Sequence, residues 1–300
     1  MIGHLIHIGY PKTGSTFLRR WFAGHPQLAY QGGGIAGFAN VHAIAVQSAA
    51  PREGLMYRVT SSEGLAAPDA HAEDGLDSFD RTGPGQDPRE QALVCRALAE
   101  LFPNAHVLVV TRGFRSAIYS GYSEYVRAGG DADLGRFFKM TRAVVDKGRG
   151  VLDYDYLIDL YRERFGDRLI VMPYELLRDD PKRFALALEE QLGLTHHPPD
   201  VRRENPSLSP EELGWYPRLA RVVRRLPFGG RLRRRLLARQ AHDPLPRGLR
   251  PLAGLLTRTA PSAAVSPALI TEEMVAFLRG RAERLRGHPL YLPYAKDYLL

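Results

Sequence analysis

The sequence predicts an α/β protein, a P-loop-like three-layer sandwich with a mainly parallel central sheet and helices on both faces. Apolar runs rich in β-branched residues alternate with amphipathic helical runs over roughly the first two-thirds of the chain. The opening unit is a strand, a glycine-bearing loop and a helix, the arrangement from which parallel sheets are assembled. Residues 105–110, Ala-His-Val-Leu-Val-Val, are apolar almost throughout, as a strand covered on both faces must be.

Residues 5–9 read as a short buried strand and 10–16 as a loop that holds Pro11 and Gly14. Phe17, Leu18, Trp21 and Phe22 follow at helical spacing until Gly24-His25-Pro26 stops the run. Residues 31–37 are glycine-rich and read as irregular; 55–60 read as a second strand, ending at Ser61-Ser62-Glu63. Residues 64–90 are rich in Asp, Gly, Pro and Ala, which points to a mobile substrate loop, with plain disorder as the alternative. Residues 89–102 carry a strong amphipathic pattern stopped by Pro103. Helices are then expected over 114–127 and 154–165, the second capped by Gly166, and a strand over 168–172. Asp180 stands as an N-cap before Pro181, opening a helix that runs to Leu192 and stops at Gly193. After Asn205 the periodicity weakens until a final helix near 271–286. Residues 1–300 are therefore expected to form one domain, with 206–300 as its Arg-rich, mostly helical extension.

Composition narrows the function classes. The one cysteine, Cys95, lies in an apolar helical run, so no intramolecular disulfide is possible. A reducing compartment is expected, with the thiol serving as a small buried hydrophobe. Residues 1–9 carry no basic start and too short an apolar run for a signal peptide. No stretch reaches the roughly 18 apolar residues of a membrane span, and the expected location is cytoplasmic. The net charge of +8 is regional: residues 218–258 hold twelve arginines against one acid, Asp243. Apolar residues such as Leu219, Val222 and Leu236 are interleaved there, so the stretch reads as a solvated helical face. Peripheral contact with an anionic membrane, or attraction of an acidic or lipid-linked acceptor, is the alternative.

The chemistry is concentrated in two places. Gly9-Tyr10-Pro11-Lys12-Thr13-Gly14-Ser15-Thr16 lies between the first strand and helix. Backbone N–H groups and the positive end of a helix dipole favour a phosphate there. The two glycines have P-loop spacing, yet Ser15 stands where kinases and ATPases place Lys, and the lysine has moved inside the loop as Lys12. From that position an ammonium group can neutralise charge on a leaving oxygen. A tight turn without function is the alternative for the loop alone. The apolar strand ends Val110-Thr111-Arg112, with Arg where a Walker-B acid would hold magnesium, which argues against metal-dependent phosphoryl transfer. Ser120 follows Arg112 by eight residues, beside Tyr119 and Tyr122. A guanidinium and a helix hydroxyl so spaced can converge on one phosphate.

With both elements in this order, the sequence resembles the sulfotransferases that use 3′-phosphoadenosine 5′-phosphosulfate (PAPS), and among them the bacterial and Golgi carbohydrate-type branch. The family's 5′-phosphosulfate loop, Pro-Lys-Ser/Thr-Gly-Ser/Thr-Thr, is similar to Pro11-Lys12-Thr13-Gly14-Ser15-Thr16. Its 3′-phosphate element, an Arg with a Ser eight residues on and then an aromatic, is similar to Arg112, Ser120 and Tyr122. Residues 171–177, leading through Asp180-Pro181 to Leu192-Gly193-Leu194, also resemble that branch. The resemblance implies PAPS as donor, adenosine 3′,5′-bisphosphate (PAP) as product, no metal, and in-line displacement at sulfur. It implies Lys12 as the catalytic cation and residues 11–17, Arg112 and Ser120 as donor contacts. Phe17 replaces a Trp that many cytosolic members place near the adenine, Gly113-Phe114 replaces an Asn/Asp-Pro, and a C-terminal Arg-Lys-Gly element is absent.

An acceptor hydroxyl or amine must lose a proton, so a base is needed. Carbohydrate members often carry Glu at the end of the second core strand, and Glu63 occupies that place, with His42 as runner-up. Residues 31–37 and 64–90 are expected to wall the acceptor pocket. The acceptor classes left open are a small molecule, a carbohydrate and a lipid-linked compound. A P-loop kinase or other phosphotransferase is the rival enzyme. A nucleic-acid-binding protein built on residues 218–258 is the rival of another class, but it leaves Lys12 and Arg112 without a purpose and lacks interleaved aromatics.

Overall fold

The structure, a computed structural model, describes residues 2–10, 12–30, 53–66, 88–127, 129–147, 152–200, 208–225, 227 and 264–300. Its centre is a five-stranded sheet: β1 (Gly3–His7), β2 (Leu28–Tyr30), β3 (Tyr57–Ser61), β4 (His106–Thr111) and β5 (Leu169–Pro173), in the order β2-β3-β1-β4-β5. Every pairing is parallel. Alternate side chains enter two cores. Ile6, Val107 and Val109 face one side, and Leu5, Leu108, Val110, Ile170 and Met172 face the other. Both sides are covered, which is why residues 105–110 could be apolar without alternation.

The first face is packed by α2 (Pro88–Leu101), α3 (Phe114–Arg127) and α5 (Tyr154–Phe165). The second is packed by α1 (Ser15–Gly24) and α7 (Pro181–Leu192), with Leu176 and Leu177 of the short α6 (Tyr174–Asp179). The expected three layers are therefore present. Cys95 is buried in the first core, where burial pushes its thiol up to about 12. Among the described residues, no helix is long and apolar enough to cross a membrane.

The boundaries differ from the sequence reading in instructive ways. The first strand runs over 3–7 rather than 5–9, because the chain leaves the sheet to form the loop. The three-residue β2 was not anticipated, nor was α4 (Leu134–Asp146), although Asp133 caps it by accepting from the Arg136 N–H. Asp180 does cap α7, accepting from the Arg183 N–H. The continuous helix expected near 271–286 is a correction: the chain there forms α9 (Glu272–Val275) and separate 3₁₀ turns. Gly280, at positive φ, interrupts it, and Gly287, also at positive φ, follows its expected end. Among the described residues of the C-terminal extension the longest helix is α8 (Pro210–Arg225), which places Leu213, Trp215, Tyr216 and Ala220 inward.

Candidate active site

In an open parallel sheet, loops leave the carboxyl edge toward opposite faces at a switch point, and the crevice between them holds ligands. Here the chain leaves β1 for α1 on one face and β4 for α3 on the other, and β1 and β4 are neighbours. The loop bearing Lys12 and the strand end bearing Arg112 flank that crevice. Glu63, just past β3 on the other side of β1, lies on the same edge.

The loop is shaped by its backbone. Lys12 (φ 67°) and Gly14 (φ 88°) are both left-handed, a conformation common only for glycine. A Cβ on Gly14 would also sit 2.4 Å from Leu177 Cδ2. Thr13 Oγ1 donates to the Tyr10 carbonyl at 2.7 Å, tightening the turn. No side chain caps α1, so its first N–H groups are left to a ligand. Ser15 Oγ is buried without a hydrogen-bond partner. An orphan hydroxyl beneath an uncapped helix start fits an anionic group. Phe17 is half-buried against the second core, Thr16 is exposed, and Pro11 and His42 lie outside the described residues.

Lys12 Nζ pairs with Glu124 Oε2 of α3 at 3.2 Å, both side chains substantially exposed. The strand end is held differently. Arg112 Nη1 donates to the Lys12 carbonyl at 2.6 Å, Nε donates to Ser116 Oγ at 2.5 Å, and the guanidinium lies over the Tyr174 ring at 4.4 Å. Burial draws its pKa below the ordinary guanidinium value, opposed by Tyr174, Glu175 and Tyr154. A guanidinium starts high enough to remain a cation at neutral pH. Among the described residues its Nη2 makes no hydrogen bond, leaving donors for a ligand.

Arg112 thus meets Ser116, not Ser120, which the sequence reading singled out. Ser120 is buried one turn farther along the same helix face, and Glu124 one turn beyond that. The i, i+4 spacing of these three residues was available in the sequence as a signal for Ser116. Glu63 opens a 3₁₀ turn after β3, and its Oε1 lies 3.5 Å from Arg19 Nη2 of α1. His7 was overlooked. It is fully buried under the loop, with Nδ1 2.8 Å from Ser61 Oγ and Nε2 without a partner, and burial lowers its pKa to about 3. Its ring is what a Cβ on Gly9 would strike, at 2.4 Å. Residues 31–37, most of 64–90, and 228–258 lie outside the described residues.

A model of the sulfotransferase family matches residues 5–198, the span that contains the sheet, the loop and the strand end. The chain belongs to the sulfotransferase family. Among solved structures, the chain is similar to a sulfotransferase from Alicyclobacillus acidocaldarius. The two share 14% identity with a TM-score of 0.48, over 73% of this chain and 93% of that chain. No curated protein matches. The family match stops well short of residues 264–300, whose tyrosines nevertheless reach the end of β4.

Proposed function

We propose that this chain transfers a sulfuryl group from PAPS to a hydroxyl or amine acceptor, a small molecule, carbohydrate or lipid-linked compound, by in-line displacement. The observation that most supports this reading is the hydrogen bond from Arg112 to the Lys12 carbonyl, which joins the loop to the strand end. When bound, PAPS supplies a sulfuryl group on an oxygen that departs with a phosphate. The α1 N–H groups and Ser15 receive the 5′ anion, with Thr13, Gly14 and Thr16 shaping the cradle. Lys12 exchanges Glu124 for the departing oxygen and neutralises its growing charge. Arg112, with Ser116 and Ser120 along α3, receives the 3′-phosphate. Glu63 takes the proton of the acceptor.

The test is calorimetry with PAP and with adenosine 5′-monophosphate, followed by transfer of label from ³⁵S-PAPS to a panel of acceptors without magnesium. Clear preference for the 3′-phosphorylated nucleotide and metal-independent transfer are expected. Equal affinity for the two nucleotides, or turnover that requires magnesium, sinks the proposal.

A further inference from the structure

The last residue of β4 and the two that follow it are gripped by buried groups. Thr111 Oγ1 is 2.7 Å from Tyr291 Oη and donates to Tyr298 Oη at 3.1 Å. Tyr154 Oη donates to the Arg112 carbonyl at 2.5 Å and accepts from the Arg112 N–H at 3.4 Å. The Gly113 N–H donates to Glu175 Oε1 at 3.0 Å, while Tyr298 Oη donates to Glu175 Oε2 at 2.7 Å. All three tyrosines are almost fully buried, as is Glu175. The rings also pack on each other: Tyr291 on Tyr298 at 5.1 Å, Tyr154 on Tyr298 at 6.1 Å, and Tyr154 on Tyr10 of the loop at 5.3 Å.

Two of these phenols come from the C-terminal segment, far outside the stretch the family model matches. That segment approaches so closely that a Cβ on Gly113 would lie 2.6 Å from Asp297 Cβ and 3.1 Å from the Asp297 carbonyl oxygen. Gly113 is thus the residue that lets the C-terminal chain pass directly behind Arg112. It is also where this sequence departs from the Asn/Asp-Pro pattern. A single buried carboxylate, Glu175, transmits the contact: one oxygen holds the strand end and the other holds Tyr298.

We propose that the C-terminal segment is a positioning element of the donor site, in which Tyr298, through Glu175 and Thr111, fixes the strand end that aims Arg112. The inference rests on the reading of Arg112 as the 3′-phosphate ligand. Removing the Tyr298 hydroxyl leaves Glu175 Oε2 buried without a donor, and a carboxylate in that state must recruit another partner. The donors it keeps are the Gly113 N–H and its own backbone N–H, so part of the cost falls on the backbone next to Arg112. A loosened guanidinium must be ordered again by each ligand it binds, which weakens binding.

The test compares two nucleotides on Tyr298→Phe, which keeps the ring and its packing. Affinity for PAP is expected to fall about tenfold, while affinity for adenosine 5′-monophosphate, which has no 3′-phosphate, stays unchanged. In turnover, KM for PAPS rises and kcat holds. In an Arg112→Ala background the same change has no further effect on PAP. A merely structural role would weaken both nucleotides alike, and that result, or an unaltered PAP affinity, overturns the inference. Should Tyr298→Phe fail to fold, Tyr291→Phe removes only the bond to Thr111 and carries the same comparison, with a loss of roughly threefold. A wild-type protein that shows no preference for PAP overturns the reading of Arg112 and the inference with it. A wild-type preference that survives Tyr298→Phe intact overturns the inference alone.

Discussion

The loop after β1 and the strand end after β4 face one crevice but are built on opposite plans. The loop owes its shape to backbone conformation, with Lys12 and Gly14 both left-handed, and its cation rests on a solvent-exposed pair with Glu124. The strand end is fixed by buried side chains from α5, β5–α6 and the C-terminal segment. An exposed ion pair contributes only about 0–1 kcal/mol, so Lys12 can exchange its partner readily. A buried, fully bonded network resists such exchange. On the proposed reading, the cation assigned to the developing charge is left free to move, whereas the cation assigned to the fixed phosphate is anchored.

The contrast is broken most severely at Lys12. Lys12→Ala keeps a Cβ at the left-handed position and removes a weak ion pair. The melting temperature is therefore expected to stay nearly constant while kcat falls about 10²–10³-fold. A melting temperature that drops with the activity would show that Lys12 is structural and that the two regions do not differ as argued. Next in size is Glu63→Ala, for which transfer falls roughly 10²-fold and PAP affinity is retained in calorimetry. Unchanged turnover discards Glu63 as the base.

How much of this was legible in the sequence follows the range of the interactions. The strand at 106–111, the helices at 114–127 and 154–165, and the Asp180 cap announce themselves through apolar runs, periodicity and cap chemistry, all local signals. The proximity of Lys12 and Arg112 was legible through the residues around them. β2 was not: three residues, only Leu28 of them buried, leave no pattern to read. Ser116, four residues from both Arg112 and Ser120, was legible only as their i, i+4 neighbour on α3 and was not read. Tyr291 and Tyr298 meet Thr111 across about 180 residues, a contact that tertiary packing alone decides. The helix expected near 271–286 fails at a local feature, the left-handed Gly280, which apolar periodicity does not register.

The strand end is probed from its backbone by Gly113→Ala. The new methyl has no room against Asp297, and overpacking of this kind costs about 1–3 kcal/mol. A fall of several degrees in melting temperature is expected, accompanied by weaker PAP binding because the displaced segment carries Tyr298. A variant that melts like the wild type would mean the C-terminal segment yields freely and the strand end is no more rigid than the loop.

Acid separates the two regions by sign. His7 under the loop, and His4 against Phe102 on the other face of β1, are buried neutral, each with its pKa lowered to about 3 by burial first and by a nearby arginine second. In the unfolded chain both take a proton near 6.5. Their contribution to stability is complete above that value and is lost as pH falls toward 3, at about 1.4 kcal/mol per pH unit for each. Glu175 behaves oppositely: burial raises its pKa, so the strand end becomes easier to keep folded as pH falls and harder as pH rises through its titration. Chemical denaturation of wild type and His7→Gln between pH 7 and pH 4 measures the first effect. The variant loses stability elsewhere at all pH values, but its curve should fall less steeply than that of the wild type by roughly one histidine's slope. Parallel curves would mean that His7 takes its proton without cost, and hence that the floor of the loop is open to water rather than sealed by β1 and β3.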